Sequence, residues 1–315
     1  MGSGRPTSAR RPRLSSLFQR PNNLLGIAMM LIGFFVFAAN DALGKWLLAT
    51  ATVGQLMLAR GVVGLMVVGS TLAPSGLAPI RTQKQIWLQI ARGMLSATES
   101  SLFFAALIFL PLASVMTYYL AGPIYVTALS PWLLGEQVGW RRWLAVGIGF
   151  CGVVIAIQPG ADSLSWGAIA ALGGSIAYAF VMIFTRKLAA TDGRVLMGWQ
   201  LISAVVVGIG LTAYQGFAPL GTLDIVLIGI LAIGSLAGNW CVNISLQLAP
   251  ASVVVPYQYS LIIWGVLFGY LVFGEVSESH TLIGAAIIVA AGLFIFLREQ
   301  RLHRGATSSS PSVNN

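Results

Sequence analysis

"ASVMTYYLAGPIYVTALSPWLLGE" (residues 113–136) and "ASVVVPYQYSLIIWGVLFGYLVFGE" (residues 251–275) are two versions of one pattern. Both open on Ala-Ser-Val, both close on Gly-Glu, and they differ by one residue in length. Each is an apolar run of the length that crosses hydrocarbon, for which about 20 residues are needed. Working outward from this pair, the same reading predicts spans near 24–48, 53–72, 86–110, 113–135, 142–158, 165–187, 195–214, 223–247, 251–273 and 281–297. The breaks fall on turn chemistry: "APSGLAP", "QPGAD", "ATDG", "YQGFAPLG" and "VSESH". A fourth run that matches a ninth implies a duplicated five-helix unit. Five is odd, so the second copy enters the membrane from the opposite face. The expected fold is therefore an all-α membrane protein, ten transmembrane helices arranged as two inverted five-helix repeats. Halves related in this way can exchange inward-open and outward-open shapes around one central site.

Composition agrees. Of the 315 residues, 57% are hydrophobic and only 9% charged, with a mean hydropathy of +0.84. A soluble chain needs roughly a quarter of its residues charged, whereas helices that face lipid need no such cover. Net charge is +9, but the basic residues are dealt out between apolar runs, so they speak of membrane topology rather than nucleic acid. Cys151 and Cys241 both fall within apolar runs and are expected as core residues.

The basic residues also orient the chain. With the amino-terminal tail cytoplasmic, Arg5, Arg10, Arg11, Arg13, Arg20, Arg81, Lys84, Arg141, Arg142, Arg186, Lys187, Arg194, Arg298, Arg301 and Arg304 all fall inside, 15 of 18 basic residues. Both termini are then cytoplasmic, and the chain is expected as a multi-pass protein of the bacterial inner membrane. The expected organisation is a disordered basic tail at 1–23, a first repeat at 24–158, a second at 165–297 and a disordered tail at 298–315.

Charges inside the spans are costly and mark function or pairing. Asp41 and Lys45 stand four residues apart on one face of the first helix. Counted inward at about 1.5 Å per residue, Asp41 and Arg60 reach similar depths, and the sequence reading shares Asp41 between Lys45 and Arg60 as a charge network. Glu99, in "GMLSATESSLFF" near the middle of the third helix, has no base level with it and is a candidate site for a proton or a substrate amine. Its neighbours Ser96, Ser100 and Ser101 are the alternative, a structural network. Arg92 is expected to snorkel to the cytoplasmic end. Tyr118, Tyr119, Tyr257 and Tyr259, with Asn239, Trp240 and Asn243, supply rings and amides suited to a planar, largely neutral substrate. Gly234 with Gly238 and Gly265 with Gly269 are spaced for close helix contact.

The two five-helix halves, each with a fourth helix ending in Gly-Glu (Gly135-Glu136, Gly274-Glu275) and a Gly-rich fifth ("LAVGIGFCGVV", "LIGAAIIVAAG"), resemble the EamA-type drug/metabolite transporter superfamily over about residues 24 to 297. The resemblance implies a carrier for small organic solutes, with a cavity built chiefly from helices one, three, four, six, eight and nine. The opening "NNLLGIAMMLIGFFVFAANDALGKWLLAT" is similar to the branch that contains riboflavin transporters, which implies riboflavin uptake. Export of amino acids or drug-like metabolites is the alternative. The expected partners are a small-molecule substrate, membrane lipid and, where transport is proton-coupled, protons; no nucleic acid, cofactor or metal is expected. An intramembrane enzyme would need a nucleophile with a base, paired aspartates or metal ligands. His280 falls in an outer loop, His303 in a tail, and Asp41 alone among aspartates lies in a span. A membrane sensor would want a soluble output domain.

Overall fold

The computed structural model describes residues 23–72, 85–135, 138–157, 165–188, 191–249 and 251–308. The first half is α1 (Asn23–Leu47), α2 (Val53–Leu72), α3 (Ile86–Phe109), a fourth span broken into α4 (Leu112–Leu120) and α5 (Gly122–Leu133), and α6 (Trp140–Ile157). The second is α7 (Trp166–Lys187), α8 (Gly193–Gln215), α9 (Thr222–Leu248), a ninth span broken into α10 (Ala251–Val254), a 3-10 turn (Val255–Tyr259) and α11 (Ser260–Phe273), and α12 (Ser279–Ser308). Eight of these segments are long and apolar enough to cross a membrane. The other two are α3, which carries Arg92 and Glu99, and α6, which opens on Trp140-Arg141-Arg142. Together they complete the ten expected spans.

Helix pairing repeats between the halves. α1 packs on α9 as α7 packs on α3, and α1 meets the broken ninth span as α7 meets the broken fourth. α2 packs on α8 and α6 on α12, each pair joining equivalent spans of the two halves. Without water to drive apolar faces together, such pairing rests on close van der Waals approach at small residues. A Cβ added to Gly284 would lie 2.6 Å from the Gly152 carbonyl oxygen across the α6–α12 seam. On the α1–α9 seam, a Cβ at Gly33 would stand 3.3 Å from the Gly238 carbonyl oxygen, and the Ser245 hydroxyl donates to the Gly26 carbonyl at 2.6 Å. Gly234 and Gly238 thus serve the packing expected of them, against Asn40 and Phe37.

Large apolar side chains outside the bundle remain exposed, as lipid-facing surface requires. Trp46 and Trp166 stand near one membrane face, Trp87, Trp132 and Trp140 near the other, all outward. These are the positions where amphipathic rings settle at headgroup level.

Two expectations need correction. α12 runs on through Ser308, past the tail boundary expected at 298, because Arg298-Glu299-Gln300-Arg301-Leu302 is a run of good helix formers. Cys151 faces outward rather than into the core, while Cys241 is half-buried. The expectations placed on residues 1–22, Arg81, Lys84, Glu136 and Asp162 lie outside the described residues.

Candidate functional site

The halves enclose a cavity of about 250 Å³. On α1, Phe34, Phe37 and Asp41 follow one another at helical spacing and form one stripe facing it. On α3, Glu99 and Phe103 do the same, and on α7, Tyr178 and Met182. Arg60 enters from α2, Gln200 from α8, Tyr119 from α4, and Gln258 and Tyr259 from the 3-10 turn. Three rings form a connected group: Phe103 meets Tyr119 edge to face at 5.1 Å, and Tyr119 stands 6.0 Å from Tyr178.

The lining charges among the described residues are Asp41, Arg60 and Glu99. Arg60 acts electrostatically on both carboxyl groups, yet no ion pair within 4 Å joins the three among the described residues. Glu99 accepts from the Ser100 hydroxyl at 3.0 Å, and the Tyr119 hydroxyl lies beside the Glu99 carboxyl and donates to its main-chain carbonyl at 3.2 Å. The charges therefore keep most of their hydrogen-bonding capacity directed at the cavity, where uncompensated charge is expensive and ligands or water must supply what is missing.

Lys45, one turn beyond Asp41, is placed differently from the sequence reading. Its ammonium forms an ion pair with Glu275 rather than with Asp41 and donates to the Leu110 carbonyl at 2.9 Å. It also stands 5.1 Å from the Phe273 ring. The other Glu275 oxygen accepts the Leu112 N–H at 2.9 Å. The Gly-Glu ends explain this reach. Gly135 and Gly274 both have left-handed backbones, at φ 69° and 66°, a conformation that glycine adopts without strain. At Gly274 it ends α11 and turns Glu275 back over the bundle. Lys45, Leu110, Leu112 and Glu275 thus tie α1, the α3–α4 junction and the α11 terminus together at one end of the cavity.

Beside the other end lies a second recess of about 170 Å³, bordered by Ser130, Arg186, Gly292 and Phe296 and sharing Pro123, Met182, Gln258 and Tyr259 with the main cavity. A small polar side pocket of about 50 Å³ opens behind Arg60, lined by Ser96, Ser100, Gln200, Ser235 and Asn239. Arg92 does not snorkel. It is buried, bonding through Nε to the Thr185 hydroxyl at 2.6 Å and through Nη1 and Nη2 to the Leu196 carbonyl at 3.2 Å and Gln200 at 3.3 Å. These three acceptor sites lie on neighbouring helices, so turning inward satisfies the guanidinium better than stretching to the membrane surface.

Of the residues singled out from sequence, Asp41, Glu99, Tyr119 and Tyr259 line the cavity with Arg60, and Asn239 lines the side pocket. The others stand elsewhere. Tyr118 is buried in the helix core. Trp240 is 65% exposed and faces outward. Asn243, one turn beyond Asn239, is also exposed. Tyr257 is 37% exposed because the 3-10 turn directs it away from Tyr259. Phe34, Phe37, Phe103, Tyr178 and Gln200 went unselected. The first four were within reach of the spacing rule, being on the faces of Asp41 and Glu99 or at the position in the second half that matches Phe37. The resemblance also placed the eighth helix, α9, in the central cavity; it lines only the side pocket, while the second and seventh supply Arg60 and Gln200.

A multi-pass bundle with a charged, ring-lined cavity between duplicated halves defines a class of membrane carrier. The EamA-like transporter family matches residues 24–158 and 165–297, and the chain belongs to that family. The family is one of transporters rather than enzymes. A riboflavin transporter of Rhizobium johnstonii is 25% identical, covering 92% of this chain and 97% of the relative. A riboflavin transporter of Vibrio cholerae is 28% identical over 89% and 96%. An S-adenosylmethionine uptake transporter of Rickettsia bellii is 23% identical over 88% and 95%. A solved crystal structure superposes with a TM-score of 0.57 at 18% identity, covering 87% of this chain and 97% of that one, a likeness of fold.

Proposed function

We propose that the protein imports a planar metabolite, riboflavin as the leading candidate, across the bacterial inner membrane by alternating access. The observation that carries this reading is the cavity itself: aromatic rings for a flat heterocycle, with Asp41, Glu99, Arg60, Gln200 and Gln258 to bond its polar edge and a hydroxylated chain. The two riboflavin transporters among the relatives support the choice of ring. Both termini are taken as cytoplasmic, the orientation that puts most of the tail and loop basic residues inside. The ion pair of Lys45 with Glu275 then closes the periplasmic end, while the recess beside Arg186 leads toward the cytoplasm. In the cycle, the outer end opens when the halves rock about the cavity and that pair parts. If transport is coupled to protons, Glu99 or Asp41 is the group that carries them.

A second reading is favoured by the excess of carboxylates. Two acids among aromatic rings also suit a ring-bearing cation, and a sulfonium compound of the S-adenosylmethionine kind meets that description. The test is uptake of labelled riboflavin into cells unable to make it, comparing the protein, an empty vector and Tyr119→Ala/Tyr178→Ala. Saturable uptake lost in the variant supports riboflavin import. No uptake despite verified membrane expression removes it, and labelled S-adenosylmethionine is then tried in the same cells.

A further inference from the structure

We propose that the cavity selects on charge, accepting the neutral ring compound and refusing its phosphate ester. The inference rests on the import reading above and adds a rule about which form of the solute is carried. It starts from the lining charges among the described residues, two carboxylates and one guanidinium. Asp41 forms no hydrogen bond or ion pair among the described residues, and Glu99 receives the Ser100 hydroxyl with the Tyr119 hydroxyl beside it. Both keep acceptor capacity for whatever enters. Hydroxyl and imide N–H donors of a neutral solute satisfy them. A phosphate has acceptors only, and its charge is of the same sign.

Nearby cations do not reverse this balance. Among the described residues Arg60 is the base in the cavity lining, and it is already shared electrostatically between Asp41 and Glu99. Lys45 is committed to Glu275 and the Leu110 carbonyl. Arg92 is held by Thr185, Leu196 and Gln200 and is not among the residues that line the cavity. Arg186 borders the recess below and not the ring-lined chamber. With both carboxyl groups ionised, a phosphate entering the chamber would lose its hydration and find more negative than positive charge, which is discrimination by an unfavourable term against the wrong ligand. One consequence concerns the reaction that follows transport. Phosphoryl transfer to the imported compound gives a product this cavity does not carry back.

The test is competition against labelled riboflavin uptake by unlabelled riboflavin or its phosphate ester. For the wild type, the ester is expected to need about tenfold or more the concentration of riboflavin for half inhibition. In Asp41→Asn/Glu99→Gln, where Arg60 is the remaining charge, that ratio should fall to about threefold or less; the single isosteric variants give intermediate ratios and serve if the double variant is poorly expressed. Equal competition in the wild type overturns the charge rule and leaves riboflavin import standing, as does a wild-type ratio that the carboxyl variants do not change. Absence of riboflavin uptake by the expressed wild type overturns the import reading, and with it the flavin form of this rule.

Discussion

Asp41 and Lys45 stand one turn apart on the same face of α1, yet they have opposite fates. Lys45 is saturated, held by Glu275, the Leu110 carbonyl and the face of Phe273. Asp41, with Arg60 and Glu99, lines a cavity and among the described residues forms no hydrogen bond or ion pair. Charge inside a membrane is costly in either place. Where the protein spends its own donors and acceptors on a charge, that charge fixes helices; where it withholds them, the charge is available to a solute. The same amino-acid pattern, an acid and a base four apart, therefore serves two purposes because a third residue, Glu275, arrives to claim one of them.

The sharpest way to break this contrast is Arg60→Ala. Uptake is expected to fall about 30- to 100-fold, the scale of a lost charged hydrogen bond, with thermal stability in detergent little changed; a large fall in melting temperature with residual uptake would make Arg60 a structural charge like Lys45. Glu275→Gln should do the reverse, lowering stability by about 2 kcal/mol, less than for a fully buried pair because the two side chains are 12% and 22% exposed. Melting temperature checks it, and Lys45→Glu/Glu275→Lys should regain part of the loss. Gly284→Leu, far from the cavity, is expected to cost about 1–3 kcal/mol by wedging the α6–α12 seam, visible as less folded protein with an unchanged half-saturating solute concentration. Trp240→Ala should leave uptake within about twofold, since its ring faces outward. The smallest effect is at Asp192, which caps α8 by accepting the Arg194 N–H at 2.8 Å. Hydrogen bonds from Arg194 hold this carboxyl below its ordinary range. Its contribution is thus present above the unfolded carboxyl's pKa and lost as pH falls through the lowered one. A melting-temperature difference between wild type and Asp192→Asn should be slight near neutrality and vanish in strong acid.

The fold was readable because lipid imposes long apolar runs and because the runs repeat. All ten spans lie within a few residues of where the apolar pattern places them, apart from the far end of α12. The cavity was half readable. Asp41, Arg60 and Glu99 announce themselves as charges in hydrocarbon, and Tyr119 and Tyr259 as rings in matching segments. Depth along a helix follows from counting, whereas facing depends on rotation, and rotation is lost at a break. Tyr118 and Tyr257 stand off the cavity lining for that reason, each lying near an interruption. The partner of Lys45 was hidden for another: Glu275 comes from 230 positions away, by way of a glycine whose backbone angle no periodicity reveals.

Those interruptions carry a historical message. Counting from the shared Ala-Ser-Val, the fourth span breaks at its ninth residue, Ala121, and the 3-10 turn of the ninth span ends at its ninth, Tyr259. The prolines beside the two breaks do not correspond, for Pro123 follows one and Pro256 precedes the end of the other. What the copies have kept since the gene doubled is a location, while the residue that enforces it has drifted. In more distant descendants the break is therefore the character to trace, and a missing proline is no evidence that it has gone.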